Sequence, residues 1–286
     1  MEFGVATFRL ATLNSLQRCK PLLGTFVEVF VQDNVSDKAL VEQSNAIFKQ
    51  IEQIEGLMSF HTKDSELSLI NQQAHQQPVA MSQEMTEVIQ QVLELSALTQ
   101  GVYDVSIASQ LITSGILPDH DFNIDPLASW KDIIVDNNDI YFIRPLVIDL
   151  GGIAKGYAVD KAIAAADDNC HVVVNAGGDL KMTHWQNQLV SIRVPYSKSG
   201  KVVDVAMQSA ALATSGHYFL DGKVAIINAQ TKQKVDQDIS ISVFADSCMV
   251  ADALTKVAFL YEDSAAIFSA FKAKALRLDW HGEVLT

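Results

Sequence analysis

Cysteine is scarce in this 286-residue chain: Cys19, Cys170 and Cys248 form an odd set at no metal-ligand spacing, which argues against both a disulfide framework and a structural zinc site. Buried, reduced thiols are the plain reading. Positive charge is also short, with 21 Lys and Arg against 34 Asp and Glu and a formal net charge of −13. That balance repels nucleic acid and anionic membrane, so neither partner is expected. An anionic dinucleotide can still bind wherever a local cluster of donors overcomes the global field. Long apolar runs are missing as well. No stretch approaches the roughly 18 continuous apolar residues of a membrane span, and Met1–Cys19 has nothing like the roughly 7–15-residue apolar run of a secretory signal. Leu16-Gln17-Arg18-Cys19 has the outline of a lipoprotein cleavage site, but Arg18 stands where a small residue is needed. A cytoplasmic protein is expected. Repeats, low-complexity tracts and obvious linkers are absent.

Hydrophobic residues make up 49% of the chain, enough for a large core arranged as one domain or two intimate halves. Thr25 to Val31 alternates like a half-buried strand, after which Ser36 caps a helix with Leu40, Ile47, Phe48, Ile51, Ile54 and Leu57 on one face. Ser82 caps a second long helix through Val88, Ile89, Val92 and Leu93 to a stop at Gly101. Ile133–Val135 and Ile140–Ile143 flank Asp136-Asn137-Asn138-Asp139, a hairpin turn. Val147–Asp149 reads as a strand leading into a helix that continues from Ala158 to Ala166, and Val172–Asn175 is the next buried strand. Leu189–Val194, Val224–Asn228 and Ile239–Phe244 follow as strands, with Lys198-Ser199-Gly200-Lys201 a loop. Ser247 or Asp246 caps a helix to Leu260, and a last strand runs near Ala275 to Trp280. Helices and strands are interspersed without a βαβ rhythm, so an α+β fold of mixed sheets with packed helices is favoured over a doubly wound one.

The most informative run is Ile148-Asp149-Leu150-Gly151-Gly152-Ile153-Ala154-Lys155-Gly156-Tyr157. Glycines at a strand-to-helix junction let backbone approach a ligand closely. Asp149 supplies an acceptor, and a helix N-terminus with Lys155 supplies positive potential for an anion. The run matches neither the Walker pattern nor Gly-x-Gly-x-x-Gly, so a P-loop or Rossmann enzyme does not follow. Taken alone, a plain turn and a ligand site both remain open.

Read in order with this run, Leu23-Gly24-Thr25, Asp64-Ser65-Glu66-Leu67-Ser68 through Asn71, Gly101-Val102-Tyr103-Asp104, Val174-Asn175-Ala176-Gly177-Gly178-Asp179, Ala213-Thr214-Ser215-Gly216 with Tyr218, and Ala251-Asp252-Ala253-Leu254 resemble the FAD:protein FMN transferase (ApbE) family. The resemblance covers roughly residues 20–262 and implies an ApbE-like domain over residues 20–286 after an N-terminal extension at 1–19. It further implies that FAD is bound, that Mg²⁺ polarises its pyrophosphate, and that a Thr or Ser hydroxyl of a partner flavoprotein attacks the FMN phosphorus and expels AMP. That chemistry needs charge neutralisation, positioning and a base.

By resemblance, the flavin-site candidates are Leu23, His61, Val102, Tyr103, Asp104, Asp149, Lys155 and Ile241. Ordinary core packing is the competing reading for Tyr103 and Leu23. The metal ligands implied are a backbone oxygen near Gly152 and an Asp and Thr four residues apart on the late helix. Asp252 matches the Asp, with a capping or solvated carboxylate as its plainer reading. The Thr position is Lys256, whose ammonium is no Mg²⁺ ligand but can neutralise phosphate or pair with Asp252; Thr255, at i+3, is the substitute ligand. The family's usual His-Ile-Ile-Asp-Pro appears as Ala225-Ile226-Ile227-Asn228-Ala229, so its candidate base is missing. His217 is the replacement, against the plain reading of a solvated loop histidine. Asp252, Lys256 and His217 are thus the catalytic candidates. Metal dependence is expected to be weak or replaced by Lys256, and a non-catalytic or hydrolytic FAD-binding protein is the alternative to a transferase.

Overall fold

The computed structural model describes residues 13–167, 169–195, 200–216, 226–235 and 237–285. His217, Tyr218, Val224, Ala225, Lys198 and Ser199, all singled out from the sequence, lie outside the described residues.

The chain opens with strands β1 (Asn14–Leu22) and β2 (Thr25–Asp33), then helices α1 (Asp37–Met58) and α2 (Glu66–Gln73). A short β3 (Val79–Ala80) precedes α3 (Gln83–Leu98) and α4 (Ala108–Thr113), and β4 (Ile133–Asp136) and β5 (Asp139–Phe142) form the expected hairpin. Helix α5 (Ala154–Ala164) follows the glycine-rich junction. Next come β6 (His171–Ala176), β7 (Asp179–Met182), β8 (Leu189–Arg193), β9 (Val202–Ala206), β10 (Ala211–Gly216) and β11 (Ile239–Ala245). The described chain closes with α6 (Cys248–Leu260), α7 (Ala265–Ala270), β12 (Lys274–Asp279) and β13 (Val284–Leu285). No described helix is long and apolar enough to cross a membrane.

The main sheet has eight strands in the order β1-β2-β6-β7-β10-β11-β12-β13, and every described pairing in it is antiparallel. Asn14–Cys19 thus belong to this sheet, as the first part of its edge strand. Helices α1, α5 and α6 lie in a row across one face. The two-stranded β8–β9 sheet covers part of the other face. The period of two that sorts strand residues between faces is plain in β11. Ile241, Val243 and Ala245 point into the helix-side core, whereas Phe244 joins Met182, Ile192, Met207, Leu212 and Leu278 under β8–β9.

Local signals place the helices. Ser36, Ser65, Ser82 and Ser247 each accept a first-turn backbone N–H and cap α1, α2, α3 and α6, which satisfies one of the donors a helix start leaves orphaned. Asp246, the alternative cap, instead accepts from Ser209 Oγ. The start of α6 has a second anchor from α5. Asp160 accepts from Ser247 Oγ (2.7 Å), Cys248 N (3.0 Å) and Met249 N (2.9 Å), and it also holds Lys181 Nζ at 2.6 Å. A carboxylate at a helix N-terminus is favourably placed against the macrodipole.

Three expected features differ. Val147–Asp149 joins no described sheet. Ile148 N–H donates to Asn71 Oδ1 (2.9 Å), and the Ile148 carbonyl accepts from Asn71 Nδ2 (3.0 Å). A side-chain amide therefore satisfies the backbone groups that a neighbouring strand would otherwise pair. Thr214-Ser215-Gly216, where the sequence gives no strand, is the end of β10 and pairs with Ser240–Ser242 of β11. In the region expected to hold a Val224–Asn228 strand, the described residues show an isolated bridge between Ile227 and Lys234.

Candidate active site

Two tight turns frame the site. Leu22 pairs with Thr25, so Leu23 and Gly24 alone join β1 to β2. Leu23 sits at φ +56°, a left-handed conformation that costs a non-glycine residue roughly 1–2 kcal/mol. Its N–H donates to Glu55 Oε1 of α1 at 2.8 Å. Ala176 pairs with Asp179, so Gly177-Gly178 joins β6 to β7. A Cβ on Gly177, at φ +66°, would come within 2.5 Å of Thr25 Oγ1, so glycine is what allows the two turns to sit side by side. Asp179 emerges from the second turn only 3% exposed.

The glycine-rich junction faces these turns. Asp149 closes its own turn by accepting from Gly151 N at 3.1 Å. Helix α5 starts without a side-chain cap from its N-cap residue, Ile153, and its first N–H, on Ala154, donates to the Leu150 carbonyl at 2.8 Å. Gly156 touches α6: a Cβ there would lie 2.2 Å from the Cys248 carbonyl oxygen. With no Cβ, α5 comes close enough for Gly156 N–H to donate to Asp252 Oδ2 at 3.3 Å.

Asp252 is fully buried on α6, and its two carboxylate oxygens hold two lysines. Lys256, one turn later on the same helix, donates to Oδ1 and to the Asp252 carbonyl (3.1 Å). Lys155, from α5, donates to Oδ2 at 3.3 Å and to Asp179. Burial drives the Asp252 carboxyl upward, but the Lys155 and Lys256 charges outweigh it and hold the group below its ordinary value. Burial pushes Asp179 up to about 6, reinforced by the neighbouring Asp252 charge. The lysine between them is pulled down by burial and raised further by both carboxylates, ending above its ordinary value. Asp149 is also pushed up to about 6 by burial, against the opposing pull of Gly151 N–H and of the His61 and Lys155 charges. Thr255 Oγ1 bonds the Asp252 carbonyl (2.7 Å) and Ser215 Oγ (2.7 Å).

These groups border a cleft of about 800 Å³, within the size range of small-molecule and cofactor sites. Its lining includes Leu23, His61, Val102, Tyr103, Asp104, Asp149, Gly152, Lys155 and Lys256. His61 is exposed there, while Tyr103 is 5% exposed and its phenol is kept protonated by burial and by the nearby Asp252 and Asp149 charges. Asp104 has a second job: it caps the turn at Ser106 N (2.8 Å) and accepts from Trp130 N (3.2 Å). Ile241 is fully buried in β11 and does not line the cleft. Asp252 and Thr255 lie behind the cleft wall. Asp179 and Asp160 were not picked out as site residues from the sequence. The position of Asp179 directly after the Gly177-Gly178 turn was the available signal.

The donor set does not fit the Mg²⁺ that the family resemblance implies. Both Asp252 oxygens are taken by ammonium groups, and Thr255 is engaged with Ser215. The Lys256 stem lies against Gly152, where a Cβ would be 3.4 Å from Lys256 Cε. At roughly 4 Å and an effective dielectric of roughly 20, a dication and an ammonium repel by about 8 kcal/mol. Among the described residues no group of three or more His, Cys, Asp or Glu could hold a metal ion.

Known proteins resemble this chain along most of its length. The FAD:protein FMN transferase of Vibrio cholerae is 26% identical over 261 residues, covering 82% of this chain and 78% of the relative. That of Chlamydia pneumoniae is 25% identical, covering 83% and 82%. Among solved structures, the flavin transferase ApbE of Vibrio cholerae superposes with a TM-score of 0.77 at 24% identity over 94% of each chain. The ApbE protein of Thermotoga maritima superposes at 0.80 and 24% identity over 95% of this chain and 96% of its own. These superpositions share the α+β architecture described above. The ApbE family model matches residues 23–275, and the chain belongs to that family.

Proposed function

We propose that the cleft binds FAD and that the protein transfers FMN from it to a Thr or Ser hydroxyl of a partner flavoprotein, releasing AMP. The observation that carries this reading is the pairing, within one cleft, of an apolar wall with two ammonium groups beside the start of α5. Leu23, Phe60 and Tyr103 on that wall suit a flat, apolar ring system, while Lys155, Lys256 and the first turn of α5 suit a diphosphate. Relatives that carry the name FAD:protein FMN transferase and span about four-fifths of the chain support the same reading.

In the reaction the acceptor hydroxyl oxygen forms a bond to the FMN phosphorus. The bond from that phosphorus to the bridging oxygen breaks, and AMP leaves with the bridging oxygen. The hydroxyl proton needs an acceptor. Asp149 borders the cleft, and burial holds it at about 6, close to the operating range of a general base. Lys155 offsets charge on the non-bridging oxygens, and its buried partners Asp179 and Asp252 fix its position.

The test is AMP release from FAD with an intact acceptor domain, with the same domain lacking its hydroxyl, and with no acceptor. Release only with the intact acceptor supports transfer. Equal release in all three means hydrolysis by water, and FAD that binds but stays whole means a binding protein. Either outcome overturns the proposal.

A further inference from the structure

We propose that Lys256 stands in for a divalent cation: with Lys155 it forms a fixed two-ammonium site for the diphosphate of FAD, which therefore binds without Mg²⁺. This rests on the reading of the cleft as an FAD site and adds what neutralises the diphosphate there.

Asp252 ties the two lysines together. Its carboxylate is fully buried and is not part of the cleft surface, whereas Lys155 and Lys256 are. One lysine takes each carboxylate oxygen, so the buried acid acts as a positioning residue that holds two cations at the wall from behind. An ammonium has three donors. In the described contacts Lys256 spends two on the Asp252 carbonyl and Oδ1, and Lys155 spends two on Asp179 and Asp252. Each keeps one donor for a phosphate oxygen. The Lys256 stem lies beside Gly152, where an added Cβ would sit 3.4 Å from Lys256 Cε, next to the backbone that the family resemblance assigns to the metal. A hard dication needs oxygen ligands with free lone pairs, and the lysines occupy those of Asp252. Two tethered ammonium groups are always present and close to the ligand, and their effect does not vary with the metal concentration.

The test is a titration of FAD into the full chain, followed by flavin fluorescence, once in excess Mg²⁺ and once in a chelator. The expected result is the same affinity in both buffers, within about twofold. Lys256→Met keeps the stem and removes the charge, and should weaken binding about tenfold or more in both buffers. Lys256→Thr should weaken binding in chelator and regain it in Mg²⁺. A natural protein that binds FAD about tenfold or more tightly with Mg²⁺ overturns the inference while leaving the FAD reading intact, and that comparison needs no variant to fold. Unchanged affinity in Lys256→Met overturns it as well. No FAD binding in either buffer overturns the FAD reading itself, and this inference with it.

Discussion

Replacing Asp149 by Asn should stabilise the protein at neutral pH and cost it activity. Burial pushes the Asp149 carboxyl from its ordinary 3.8 up to about 6. Because the folded value is the higher one, the folded state binds the proton more tightly than the unfolded chain does. That contribution to stability is complete below about pH 4 and is lost as pH rises through about 6. The difference corresponds to about 3 kcal/mol as an upper bound, since part of the side chain meets solvent. Asn has the same outline and no charge to desolvate, and its amide oxygen can still accept from Gly151 N. Asp149→Asn should therefore gain up to about 3 kcal/mol at pH 8, or about 6–10 °C in melting temperature, and gain almost nothing at pH 4. Urea unfolding of both proteins at pH 4, 6 and 8 measures it. The same variant should lose about 10²–10⁴-fold in AMP release if the carboxylate takes the hydroxyl proton. A stability difference that is the same at pH 4 and pH 8, or a variant less stable at pH 8, refutes the reasoning.

Three further outcomes follow from the geometry. Gly156→Ala puts a Cβ 2.2 Å from the Cys248 carbonyl oxygen, so α5 and α6 must separate at a cost of about 1–3 kcal/mol or more; an unchanged urea midpoint would show that the helices are not in close contact. Lys155→Ala should weaken FAD binding by about 1–3 kcal/mol, the scale of a charge-assisted hydrogen bond, and an unaltered affinity in calorimetry removes Lys155 from the site. Asp160→Ala strips the α6 N-terminus of an acceptor shared by three donors and should cost about 2–3 kcal/mol. Faster amide exchange confined to the first turn of α6 is the expected signature, and unaltered protection there contradicts it.

What was legible in the sequence is what depends on near neighbours. The alternation of Thr25–Val31 and the caps Ser36, Ser82 and Ser247 announce their elements because strand period and helix capping are local properties. The Asp252–Lys256 pairing follows from i, i+4 spacing alone. Long-range partners were not legible. A short apolar run looks the same in sequence whether a strand or a side chain satisfies its backbone: Val147–Asp149 reads as a strand, but the hydrogen bonds of Ile148 go to Asn71, 77 residues away. Ser215 and Gly216 have little strand preference of their own, and Thr214–Gly216 becomes the end of β10 because β11 pairs with it, a case of tertiary context overriding propensity. Asp179 as the counter-ion of Lys155, across 24 residues, required the α5–β7 contact to be known.

The proposed transfer of FMN from FAD onto a protein hydroxyl has a direct readout. Its most direct measurement is the intact mass of a flavoprotein acceptor domain after incubation with the protein and FAD, followed by peptide mapping of any adduct. The expected gain equals one esterified FMN on a single Thr or Ser, appearing in step with AMP and absent when that residue is Ala. An acceptor of unchanged mass, while FAD binds in the cleft and stays intact or is cut to free FMN, contradicts it.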